Sequence, residues 1–97
     1  MSWFVYMLEC VDGSLYTGIA TDVVRRFDEH ASGRGARYTR ARPPRTVVMV
    51  LEQPDRSAAL KAEYAIKQLS AVQKRTLAAQ NPLADAMRVA LGSRTER

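Results

Sequence analysis

Five residues of this chain have types and spacing suited to chemistry: Tyr6, Tyr16, Arg26, His30 and Glu63. The two tyrosines lie in "FVYMLECVDGSLYTGIA", residues 4–20, one on each side of a turn. Arg26 and His30 are four apart, which is about one helical turn. A guanidinium forks onto phosphate oxygens, and a carboxylate such as that of Glu63 suits a hard cation that keeps much of its water. A phenol, with a pKa of about 10, is a poor base at neutral pH unless that value is lowered. Each residue also has a plain structural use. Aromatic pairs on hairpins commonly pack, and Lys67, four residues beyond Glu63, offers it an ordinary surface ion pair.

The elements that must position these residues can be read from pattern. Residues 3–9 and 14–19 read as strands with "VDGS" turning between them. A two-residue Asp12-Gly13 loop puts Tyr6 and Tyr16 on opposite faces of the sheet. A three-residue Val11-Asp12-Gly13 loop, with Gly13 left-handed as a bulge, puts them on one face. Sequence allows both, and only the second lets the phenols share a site.

Thr21 or Asp22 can cap a helix from Asp22 to about Ala31, closed by "SGRG". Its apolar face is Val23, Val24, Phe27 and Ala31. Arg26 and His30 lie along one edge of that face, and Arg25 and Glu29 can pair on the far side. "RGARYTRARPPR" is a basic loop with room for one helical turn around 36–39, stopped by Pro43 and Pro44. "TVVMVLE" is a third strand. A helix follows from Arg56 to about Leu69, capped by Asp55 or Ser57, with Glu63 at the edge of its apolar face. Ser70 caps another to about Ala79. Asn81-Pro82 opens a last one that Gly92 closes, and "SRTER" reads as a frayed tail. The order is β-β-α-β-α-α-α, an α+β domain on a small sheet whose first pair is antiparallel.

With 97 residues there is chain for one domain and one modest core. No apolar run approaches the ~20 residues of a membrane helix, no signal peptide is evident, and Cys10 has no partner for a disulfide. A cytoplasmic protein is expected, with no membrane partner and with Cys10 as a buried small hydrophobe. The net charge is +5, and twelve of the fifteen basic residues are arginine. Between Glu29 and Glu52 no acidic residue occurs, and that interval holds Arg34, Arg37, Arg40, Arg42, Arg45 and His30. An arginine block without carboxylates points to a polyanion partner.

Tyr6, Tyr16-Thr17-Gly18, Arg26, His30 and Glu63, in this order and spacing, resemble the GIY-YIG nuclease superfamily, most closely its small stand-alone bacterial YhbQ-like members. The resemblance runs from about Trp3 to Ser70 and includes "YTGIATDVVRRFDEH", "GARYTRARPP" and "AALKAEYAIKQLS". The first triplet is Phe-Val-Tyr in place of Gly-Ile-Tyr, and Thr17 replaces isoleucine in the second. Ile19 stands where some members of the superfamily, a repair incision nuclease among them, carry a lysine.

The resemblance implies a three-stranded antiparallel sheet flanked by helices. The nuclease domain would span 1–80, with a C-terminal helix at 81–92 on the same domain and a flexible tail at 93–97. It further implies an endonuclease that cleaves DNA phosphodiester bonds with a single divalent ion, Mg²⁺ or Mn²⁺, held by Glu63. Tyr16 would lie near the attacking water as its activator, Tyr6 would support the site by hydrogen bonding, and Arg26 would hold the scissile phosphate. His30 would assist beside Arg26, and Gly18 would sit where backbone passes close to the site. Arg34, Arg37, Arg40, Arg42 and Arg45 would track the nucleic-acid backbone, with Tyr38 stacking on a base. No groove-reading helix is evident, so recognition is expected to follow DNA structure or backbone, in repair or recombination, with any protein partner for targeting unknown. Two alternatives stand beside this: a binding module of the same fold that cuts weakly or not at all, and a nuclease acting on RNA or single strands.

Overall fold

The computed structural model of the chain describes residues 2–95. The elements run β1 (Trp3–Cys10), β2 (Leu15–Ala20), α1 (Val23–Ala31), α2 (Arg37–Ala41), β3 (Pro44–Gln53), α3 (Arg56–Lys67), α4 (Ala71–Gln80) and α5 (Asp85–Thr95). The strands form one antiparallel sheet in the order β2-β1-β3, as expected. The element order differs from the sequence reading by α2, a short helix where a basic loop with a single turn was anticipated.

β1 is central and apolar on both sides because helices cover both faces of the sheet. Val5 and Met7 join Met49, Ala59 and Ile66 beneath α3. Tyr6 and Leu8 join Val23, Phe27, Val47 and Leu91 beneath α1 and α5. Cys10 is buried as a free thiol. Among the described residues, no helix is long and apolar enough to cross a membrane.

The hairpin between β1 and β2 takes the three-residue form. Cys10 and Ser14 close it through the Cys10 N–H to Ser14 carbonyl bond of 2.9 Å, and Gly13 adopts φ +83°. That bulge sets the register in which Leu8 faces Tyr16 and Tyr6 faces Gly18. Tyr6 and Tyr16 therefore share a face.

The two helices beyond α3 also brace this arrangement. Arg75 of α4 donates to Glu9 at 2.9 Å and to the Gly13 carbonyl at 2.5 Å, tying the hairpin turn to the helix. Leu91 of α5 enters the core that holds Tyr6.

Helix ends follow local capping chemistry. Asp22, Asp55 and Ser70 cap α1, α3 and α4 by accepting backbone N–H bonds, and Ser70 with Gln73 completes a reciprocal capping box. Asn81 does not open the last helix as expected. Its side-chain amide donates to the Leu77 carbonyl at 2.9 Å, so it closes α4, and α5 starts at Asp85. Nor does Gly92 close α5, which continues to Thr95; residues 96 and 97 of the expected tail lie outside the described residues.

Candidate active site

The hairpin register brings Tyr6 and Tyr16 together, with ring centroids 6.5 Å apart. Tyr6 is buried, its ring lying across Gly18 on the neighbouring strand. A Cβ at Gly18 would stand 2.5 Å from the Tyr6 Oη and 2.7 Å from its Cζ. Gly18 is therefore required by the phenol that crosses it, a more specific reason than a close pass of backbone. Tyr16 is half-buried at the rim, and none of the described side-chain hydrogen bonds uses its hydroxyl.

His30 was expected at the edge of the α1 apolar face. It lies within the buried face instead, 1% exposed, while Ala31 is exposed. The reason is that both ring nitrogens find partners inside the protein, which removes the penalty for burying them. Nε2 is 2.8 Å from the Tyr6 hydroxyl and Nδ1 is 2.7 Å from Thr39 Oγ1. The ring also packs edge-on against Tyr16, 5.1 Å between centroids. Burial and then the nearby Arg26 cation push the His30 pKa down to about 4, with Glu29 opposing. The imidazole is thus neutral at physiological pH.

Burial, followed by Tyr16, raises the Tyr6 pKa to about 12, and Arg26 opposes part of that rise. Tyr6 is therefore a neutral hydrogen-bonding phenol at the pH where the imidazole is neutral. Arg26 is partly buried and donates to Glu29 at 3.1 Å. Burial disfavours its cation, but the hydrogen bond to Glu29 and the nearby Tyr6 phenol more than offset this and lift its pKa above the ordinary arginine value. Arg25, expected to pair with Glu29, reaches the same carboxylate at 3.8 Å and is the more exposed of the two arginines. Next to Arg26 a cleft of about 240 Å³ opens, bounded by Trp3, Ile19, Asp22, Arg25 and Glu29.

The basic segment divides in two. Arg34, Arg37 and Arg40 are exposed. Arg42 pairs with Asp12 at 3.4 Å and lies 4.6 Å from the Tyr38 ring centroid. Arg45 donates to the Val11 carbonyl at 3.2 Å and approaches Glu9 at 3.9 Å. These last two arginines hold the hairpin end. Tyr38 is also engaged, since its ring stacks on Tyr16 with centroids 5.8 Å apart. In this arrangement Tyr38 extends the aromatic cluster of the site and is not an open platform for a base.

Glu63 is mostly buried at the edge of α3 and pairs with Lys67 at 3.2 Å, the plain use foreseen for it. Its charge is close enough to Tyr6 to contribute to the raised phenol pKa. No group of three or more potential ligands from His, Cys, Asp and Glu exists among the described residues. A single carboxylate of this kind fits a hard ion that retains most of its water, and it does not fit a transition-metal cage.

The GIY-YIG catalytic domain profile matches residues 2–76. The chain belongs to the GIY-YIG family. It is 53% identical over 87 residues to a UPF0213 protein of Cupriavidus necator, covering 90% of this chain and 95% of that protein. It is 47% identical over 78 residues to the UPF0213 protein YhbQ of Escherichia coli K12, covering 80% and 78% respectively. The solution NMR structure of a UPF0213 protein of Bacillus halodurans is similar with a TM-score of 0.53 at 48% identity, covering 82% of this chain and 85% of that one. The chain thus carries the catalytic domain of a nuclease family, in its small UPF0213 branch.

In this GIY-YIG chain two positions around His30 escaped the sequence reading. Thr39 supplies the Nδ1 partner, and Gly35 lets the chain fold over the ring. A Cβ on Gly35 would meet His30 Nδ1 and stand 2.8 Å from the His30 Cα. Gly35 has no positive φ, unlike Gly33, so close approach is its reason for being glycine. A glycine that no turn demands, two residues after one that a turn does, was the available signal. At the signature's Thr17 the hydroxyl is buried without a hydrogen-bond partner among the described residues.

Proposed function

We propose that this chain is a divalent-metal-dependent endonuclease that cleaves DNA phosphodiester bonds, directed by DNA structure or backbone, in repair or recombination. The observation that carries the reading is the convergence of Tyr6, Tyr16, His30 and Arg26 on one face of a nuclease-family sheet.

Arg26 holds the scissile phosphate. Its charge is secured by its contacts, and it borders an open cleft. Tyr6, with a pKa of about 12, is excluded as a base and supports the Arg26 cation from the buried side. Water activation falls to Tyr16, the phenol nearer the surface. His30 is buried and neutral, so it assists through Tyr6 and not by touching DNA. Glu63 would hold Mg²⁺ or Mn²⁺, which when bound supplies positive charge to the phosphoryl group as negative charge builds there. Arg34, Arg37 and Arg40 are the loop side chains exposed to track the phosphate backbone.

The Glu63–Lys67 pair favours one rival, a binding module that does not cut, because the lysine competes with a cation for the carboxylate. Cleavage of nicked, flapped, forked and branched DNA with Mg²⁺ or Mn²⁺ separates the two. The nuclease reading expects cutting that Glu63→Ala and Arg26→Ala each abolish without loss of fold. Salt-sensitive binding without any cutting by wild type, unchanged in Glu63→Ala, would establish the binding module instead.

A further inference from the structure

Thr39 belongs to none of the family triplets, yet its hydroxyl lies in the hydrogen-bonded chain that runs inward from Tyr6, the phenol beside Arg26. We infer that Thr39 is a positioning residue that fixes which nitrogen of His30 carries the proton and, through Tyr6, orients Arg26. The consequence for cleavage rests on the nuclease reading above; the proton assignment does not.

Thr39 is 1% exposed and sits in α2, its Oγ1 donating to the Ala36 carbonyl at 3.0 Å. This back-bond to the preceding turn uses the only hydrogen of the hydroxyl and leaves its lone pairs for His30 Nδ1, 2.7 Å away. Nδ1 must then carry the proton. A neutral imidazole has one N–H, so Nε2 is bare and accepts from the Tyr6 hydroxyl at 2.8 Å. With its hydrogen committed inward, the Tyr6 oxygen is left with lone pairs that the nearby Arg26 cation favours.

The reverse tautomer fails the same accounting. An Nε2–H would point at the Tyr6 oxygen and make it the acceptor. The phenol's own hydrogen would then lack an acceptor among the described residues, in a side chain 1% exposed. Only one direction satisfies every donor: Tyr6 to His30, His30 to Thr39, Thr39 to Ala36. Gly35 makes the chain possible by letting α2 close over the ring.

His30 is the sole histidine of the sequence, so selective ¹⁵N-histidine labelling gives one imidazole to observe. Two-bond ¹H–¹⁵N correlation at neutral pH reports which ring nitrogen is protonated. The wild type and Thr39→Ser are expected to carry the proton on Nδ1 alone, and Thr39→Val, which leaves that N–H without an acceptor, to lose this single form, with Nε2–H appearing beside it. In cleavage, Thr39→Val is expected to lower kcat roughly 10- to 100-fold with KM for DNA unchanged, and serine to restore it. A wild-type proton on Nε2, or a valine variant with the wild-type tautomer, overturns the inference. Should the valine variant not fold, the wild-type and serine spectra decide it, since both must show Nδ1–H. If the wild type cuts nothing while the tautomer switches as stated, the nuclease reading falls and the role of Thr39 in ordering the chain stands.

Discussion

Lowering the pH from about 7.5 to about 5 should cost the folded protein about 2 kcal/mol, nearly all of it through His30. The folded-state pKa is about 4 against an ordinary 6.5. The unfolded chain takes up the proton first, so the stabilisation is complete above the unfolded value and is lost as pH falls towards the folded one. At about pH 5 the unfolded imidazole is almost fully protonated and the folded one is protonated in roughly one molecule in ten. The ratio of the two binding terms is about 30, or about 2 kcal/mol, rising to about 3 kcal/mol once both pKa values are passed. The groups facing the ring explain the direction. Burial among Tyr6, Tyr16 and Thr39 disfavours the cation, Arg26 repels it, and Glu29 opposes only in part. Stopping near pH 5 keeps the carboxylates largely out of the result, because they take up protons in the unfolded chain only at about pH 4, and the loss from Glu29, which Arg26 holds below its usual range, begins there. Urea unfolding at several pH values measures the loss, and His30→Gln should remove the slope between these limits whatever it does to absolute stability. A wild-type profile that is flat over this range, or a slope that survives in His30→Gln, would refute the reasoning.

Gly18→Ala should destabilise the protein by about 1–3 kcal/mol, because the added methyl overlaps the Tyr6 phenol, and should disturb the His30 ring signal in the same sample. Thr17→Val should raise stability by about 1 kcal/mol in urea unfolding, since it removes a buried hydroxyl that has no partner. Replacing Arg37 and Arg40 with alanine should weaken DNA binding and reduce the slope of log K against log salt by about two. The same change at Arg42 and Arg45 should instead lower stability, through the lost Asp12, Val11 and Glu9 contacts. The double variant Tyr6→Phe with His30→Leu should stay within about 1 kcal/mol of wild-type stability, because both polar partners leave together, yet lose cleavage as Arg26 loses its anchor.

The parts of the fold set by local chemistry were legible in the sequence. β3 was evident from its β-branched run and the Ser70 cap from residue type, while Asp22 and Asp55 were each one of two candidates, beside Thr21 and Ser57. The hairpin was legible as a choice between two registers, and the left-handed Gly13 decides it. What escaped depends on contacts distant in sequence. α2 is a five-residue helix without a side-chain cap, held by the bond of Thr39 to His30 and the stacking of Tyr38 on Tyr16. Helical periodicity counted His30 as a polar edge residue because it cannot see partners 24 residues back and 9 ahead. Asn81-Pro82 fits a helix start and a helix end equally, and the amide bond to Leu77 settles the matter in favour of the end.

A buried tyrosine–histidine pair is a poor way to gain stability. Each polar atom must be matched on folding, and an apolar pair of similar shape would fill the same space without that demand. What an apolar pair lacks is direction. The hydrogens of Thr39, His30 and Tyr6 can all be satisfied in only one sense, and that sense turns a phenol oxygen towards Arg26. The chain fixes a guanidinium at the rim without placing a carboxylate behind it. A second carboxylate there would draw on the positive charge that a phosphate requires, whereas a neutral phenol leaves most of it available. Glu29, on the solvent side, is the one acidic group hydrogen-bonded to Arg26 among the described residues, and an incoming phosphate would exchange with it at the surface. The buried side formed by Tyr6, His30 and Thr39 is therefore neutral and fixed, the Arg26–Glu29 side is charged and exchangeable, and the first tyrosine lies between the two.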